Sequence, residues 1–127
     1  MKAWLVFLVG IVLGAASWAI PGAITGKFEP FDNTTGFYLC QTVLALSALI
    51  VGLRTGLLRA LLCLVGAWVG MNVYAYTFGS SETRAWILLL LFSSLALLMF
   101  PLAAAIVGGV VRRVRTRRST APPTQGR

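Results

Sequence analysis

Four stretches of this chain, residues 3–24, 37–53, 60–78 and 85–111, carry no charged side chain. The hydrocarbon core of a bilayer is about 30 Å thick and takes about 20 helical residues to cross, and each stretch is close to or above that length. Inside hydrocarbon a backbone amide has no water to bond to. A crossing segment must therefore satisfy its own N–H and C=O groups, which a single helix does. The expected fold is an all-α membrane protein: a four-helix transmembrane domain over residues 1–111, arranged as an antiparallel up-down bundle. Hydrophobic residues make up 58% of the 127 positions and charged ones 11%, far from the balance of a water-soluble domain.

Basic residues orient such a chain, because loops rich in Lys and Arg stay on the cytoplasmic side. With the N-terminus inside, Lys2, Arg54, Arg59, Arg112, Arg113, Arg115, Arg117, Arg118 and Arg127 are cytoplasmic, and only Lys27 and Arg84 are outside. The three carboxylates, Glu29, Asp32 and Glu82, then all lie outside. The expected threading is N-in and C-in. The first segment has a second reading, since a basic start, an apolar run and Ser17-Trp18-Ala19 also suit a signal peptide. Its apolar character continues past that point to Ile24, with Trp18 placed as an interfacial anchor, so a retained helix is expected.

Small residues recur at helical spacing: Gly10, Gly14 and Ser17 in the first helix, Ala45, Ala48 and Gly52 in the second, Gly66 and Gly70 in the third, Ala104 and Gly108 in the fourth. Such stripes let helix backbones approach where lipid supplies no hydrophobic drive to associate. Asn72 stands two residues from Gly70, about 200° around the helix, so both faces of the third helix call for protein contact. Cys40 sits near the outer end of the second helix and Cys63 near the inner end of the third, too far apart to pair, and both are expected as small packing residues. Pro101 is expected to kink the long fourth helix, Gly56 to cap the second in the left-handed region, and Ser80 or Ser81 to cap the start of the fourth.

The chain has no histidine, and no Asp or Glu falls within an apolar stretch. A proton relay, an intramembrane cation site and an activated serine all lack the side chain they need. No catalytic, cofactor or metal residue is assigned, and the protein is not expected to be an enzyme. Intramembrane polar residues do fall at one depth: Ser17, Gln41, Thr42, Asn72, Ser93 and Ser94 each lie a few residues below the end of their helix. They are read either as interhelical hydrogen bonds that fix register or as the lining of an outward vestibule.

The loop "TGKFEPFDNTTG" gathers Glu29 and Asp32 with Phe28 and Phe31. Its aromatics either rest in the headgroup layer or form, with the acids, a contact patch for a basic surface on a partner. Asn33-Thr34-Thr35 also matches the glycosylation acceptor pattern. At the other end, Arg112, Arg113, Arg115, Arg117 and Arg118 open a basic tail over residues 112–127, read as disordered and as contacting anionic lipid headgroups. No nucleic-acid partner is expected.

In length and helix count the chain resembles the small multidrug transporters, which depend on a glutamate in the first helix where this chain has no acid. It is similar in size to fluoride channels without matching their polar pore residues. Its shortness and basic tail resemble phage holins. No family is assigned on these likenesses. The expected role is a non-enzymatic accessory or assembly subunit of a larger membrane complex, bound to a membrane-protein partner. The alternative is a holin-like or small transport protein acting as a homo-oligomer. Abundant Arg, Ala, Gly and Leu point to a bacterial inner membrane.

Overall fold

In the computed structural model, which describes residues 1–119, every apolar stretch is helical. Helix α1 spans Ala3–Thr25, α2 Thr34–Thr55, α3 Leu57–Phe78, α4 Ser81–Ala85, α5 Ile87–Ala96 and α6 Met99–Ser119, with one 3-10 turn at Pro30–Asp32. No strand occurs among the described residues. Helices α1, α2 and α3 are each long and apolar enough to cross a membrane, and α5 with α6 makes a fourth span if the bent pair is taken as one. The packing is that of a membrane protein turned outward. Val12, Leu58, Leu88 and Phe92 are exposed, while Gly10, Gly14, Gly66, Gly70 and Ser17 are buried.

Local chemistry sets the helix ends. Asn33 caps α2, its Oδ1 accepting from the amides of Thr35 (2.8 Å) and Gly36 (3.2 Å). The helix thus starts at Thr34, three residues before its first aromatic, because the cap satisfies two otherwise orphaned amides. Gly26 ends α1 in the left-handed region at φ 70° and donates to the Gly22 carbonyl. A single residue, Gly56, joins α2 to α3 at φ 99° and ψ 169°. That conformation is open essentially to glycine alone and differs from the left-handed cap expected there. Ser80 caps α4, accepting from the Thr83 amide at 3.2 Å.

The fourth apolar stretch is not one helix over 85–111. It starts as the short α4, turns at Trp86, and breaks again between α5 and α6, which are bent by 41°. Pro101 lies four residues after Leu97, so it cannot donate to the Leu97 carbonyl, and its ring crowds that group. The chain tightens instead, with Leu98 donating to Leu95 at 3.0 Å before regular bonding resumes from Leu102 to Leu98. At its far end α6 continues through Ser119, about two turns past the boundary expected at Val111. Residues 112–119 are therefore helix, not the start of a disordered tail. Arginine is a good helix former, and cations at a helix C-terminus meet its negative dipole end. Thr116 and Ser119 bond back to the Arg112 and Arg115 carbonyls. Residues 120–127 lie outside the described residues.

The two broadest interfaces join helices that are not consecutive: α1 lies on α3, and α2 on α6. Gly66 faces Phe7 and Gly70 faces Ile11, so contacts advance together along α1 and α3, which run parallel. The break then redirects the last apolar stretch, for α6 leans chiefly on α2 whereas α5 leans on α3. Helix α3 touches every other long helix.

Candidate functional site

The loop between α1 and α2 folds back over its end of the bundle. Phe28 tucks inward, stacked on Tyr74 with ring centroids 6.0 Å apart and tilted against Trp18 at 6.3 Å. Trp18, expected as an interfacial anchor, is only 1% exposed and is the largest fully buried side chain. The loop covers it. Phe31 stays 41% exposed and Tyr38 64%, with Phe37 between them in ring contact with both. Pinned this way, the loop reaches the α3–α4 connection, where Glu29 accepts a hydrogen bond from Thr83 Oγ1 at 3.3 Å.

Between these two connections lies an open cleft of about 580 Å³. Glu29, Asp32 and Glu82 all line it, and they are every carboxylate in the chain. Phe28 and Trp86 supply aromatic surface, and Leu90 and Ser93 carry the lining down α5. Trp86 is 63% exposed. The nearest cation in sequence to Glu82 is committed elsewhere: Arg84 donates to the Tyr76 and Thr77 carbonyls at 2.9 and 3.2 Å and lies over the Tyr76 ring. It thereby caps the carboxyl end of α3. Among the described residues no three His, Cys, Asp or Glu side chains are grouped as metal ligands.

The polar residues of the apolar stretches do not form one connected layer. Asn72 Nδ2 donates to Ser94 Oγ at 3.1 Å, tying α3 to α5, and also reaches the Trp68 carbonyl at 2.8 Å. Trp68 Nε1 donates to the Leu91 carbonyl nearby, at 3.3 Å. Ser17 is buried but bonds within its own helix, to Gly14. Thr42 is exposed and bonds back to Tyr38. Ser93 bonds to Leu90 and faces the acidic cleft. Gln41 is 5% exposed, and neither amide atom has a partner among the described residues.

The glycines expected at helix contacts lie at such contacts. A Cβ on Gly10 would meet the Cys63 carbonyl, and one on Gly14 the Ala67 carbonyl; from the facing side Gly66 and Gly70 meet Phe7 and Ile11. Gly52 and Gly108 face each other's helices in the α2–α6 contact, beside Ala48 and Ala105. Of the arginines, Arg112 lies against Gly56, with Nη1 2.8 Å from where a Cβ would stand, and Arg113, Arg115 and Arg118 are exposed.

Sequence reasoning missed Thr83 and Trp86 as parts of the acidic cleft and placed Glu82 only among the carboxylates expected outside. The available signal was scarcity: a chain with three carboxylates places them in two loops, and both flank apolar helices. Fold and cleft together define a helical chain, apolar enough for a membrane protein, with an acidic aromatic site at one end and an arginine-rich helix at the other. Comparison with protein-family models, with curated proteins and with solved structures finds no match.

Proposed function

We propose that this protein is a non-enzymatic accessory or assembly subunit of a membrane complex, threaded N-in and C-in through a bacterial inner membrane as four spans in an up-down bundle. The observation that carries this reading is the gathering of all three carboxylates around one cleft with Phe28 and Trp86. The parallel run of α1 and α3 supports the threading, since alternate spans of an up-down chain run the same way. With nine of the eleven basic residues on the other side, the cleft is external, and its occupant is a basic extracytoplasmic segment of the partner. Aromatic anchors supply contact area, and opposite charge sets orientation and the rate of encounter.

Mild-detergent purification tests this. A stoichiometric partner is expected with the wild-type protein. Its recovery should fall when Glu29, Asp32 and Glu82 are together replaced by lysine, and wild-type recovery should itself fall with salt. Equal recovery of the partner by both proteins at low salt would refute the cleft as the contact. The alternative is a holin-like or small transport protein acting as a homo-oligomer. A homogeneous oligomer without foreign subunits would establish that reading instead.

A further inference from the structure

The break in the fourth span leaves an apolar groove of about 310 Å³ where α3 faces the junction of α5 and α6. Leu61, Leu64, Val65 and Trp68 line it from α3, and Leu98 and Leu102 from the other side. Every lining residue is apolar but Trp68, whose indole N–H is already bonded to Leu91. The groove runs along ~10 Å of helix, from Leu61 to Trp68, and is open along one side. An extended hydrocarbon chain is thin enough to lie along it.

One side of the groove leads to a charge. Along α6 from Leu102, Ile106 and Val110 continue the same exposed apolar track, 45% and 52% exposed, and Arg113 follows. Arg113 is eleven residues past Leu102, so it lies within ~20° of the same face and ~16 Å further along the axis. One leaflet of hydrocarbon is ~15 Å deep, half the bilayer core. A lipid whose phosphate sits at Arg113 therefore ends its chain beside Leu102, in the groove.

We propose that this groove and Arg113 together form a site for one anionic phospholipid, the acyl chain held between α3 and the broken span and the phosphate held by the guanidinium. The site requires only that α5 and α6 cross the bilayer as one span. It uses neither the acidic cleft nor any protein partner, so its failure leaves the proposed function standing.

The test is quenching of Trp68 by lipids brominated toward the chain terminus, in vesicles of phosphatidylcholine with brominated phosphatidylglycerol or brominated phosphatidylcholine. The Trp68 signal is the difference between the wild-type protein and Trp68→Phe. Half-quenching is expected at about five-fold lower mole fraction of the anionic lipid, the attraction of one basic residue for an anionic surface. Arg113→Gln should remove that selectivity. Arg118→Gln, ~140° around the helix, should keep it, and Val65→Phe, which fills the groove from a lipid-facing position, should reduce quenching by both lipids. Equal half-quenching by the two lipids in the wild-type protein, or selectivity that survives Arg113→Gln, would overturn the proposal. Should Trp68→Phe not fold, native mass spectrometry of the wild-type protein and Arg113→Gln decides. Phosphatidylglycerol retained by the first and lost by the second supports the site, and equal retention or none overturns it.

Discussion

Replacing Gly14 and Gly70 by alanine adds one methyl group to each face of the α1–α3 contact, and the expected outcome is a loss of stability despite alanine's better helix propensity. At Gly14 the new Cβ would stand 2.6 Å from both Cα and the carbonyl carbon of Ala67, and at Gly70 2.8 Å from the carbonyl carbon of Ile11. Ordinary contact for such an atom begins near 3.4 Å, so the helices must part by roughly 0.6–0.8 Å, and further to clear the carbonyl oxygens. The obstructing atoms are backbone and cannot rotate away. Overpacking of this kind costs about 1–3 kcal/mol, while glycine to alanine in a helix returns about 1 kcal/mol. With rigid neighbours the upper part of the range applies, leaving a net loss of about 1–2 kcal/mol per site. Gly36→Ala is the internal control, because its Cβ would meet nothing nearer than 3.7 Å, and it should be neutral or gain up to about 1 kcal/mol. Unfolding midpoints in mixed micelles titrated with denaturing detergent, followed by tryptophan fluorescence, read the sign directly. If Gly14→Ala and Gly70→Ala move the midpoint in the same direction as Gly36→Ala, close backbone approach does not hold α1 to α3.

Three further outcomes follow from single contacts. A double-mutant cycle of Asn72→Leu with Ser94→Ala should give a coupling of about 0.6–2 kcal/mol, with insertion unaffected; a coupling of zero would mean that this bond does not tether α5. Gln41→Leu should raise the unfolding midpoint by about 1–3 kcal/mol, because it removes a buried amide without a partner and keeps the volume; a loss of similar size would show that the amide is bonded in the bilayer. Gly56→Ala should cost about 1–3 kcal/mol through its positive φ, compounded by displacement of the Arg112 guanidinium, and an unchanged midpoint would rule out the one-residue link between α2 and α3.

The helices were legible because a run without charge admits few other structures. Their ends were less so. Asn33 was read as a modification signal, and its use as a cap, which starts α2 at Thr34 rather than Phe37, depends on a side-chain geometry that composition does not encode. The arginines after Val111 read in the sequence as the start of a disordered tail in contact with lipid headgroups, although the same residues prolong a helix once one has been started. For the polar residues, sequence gives depth along a helix but not direction around the bundle. Thr42 and Gln41 are adjacent at one depth, yet one is exposed and the other is buried. The acidic cleft was illegible for a different reason. Glu29 and Thr83 are 54 positions apart, and nothing short of the folded chain shows that their loops meet.

Pro101 links these features. Read in the sequence it predicts a kink, a local matter of one missing hydrogen bond. In the fold α6 lies chiefly on α2, and across the 41° bend the preceding helix, α5, lies on α3. Trp68 and Asn72 hold it there. Gln41 lies eleven residues before Gly52, hence within ~20° of the α2 face that α6 covers, but at a level where the chain has turned toward α3. On one side of α5 lies the acidic cleft, lined by its Leu90 and Ser93; at its base lies the apolar groove, lined by Leu98 and Leu102. The break at Pro101 thus stands beside two concavities of opposite chemistry, one acidic and aromatic at the end of the bundle, the other apolar between α3 and the α5–α6 junction.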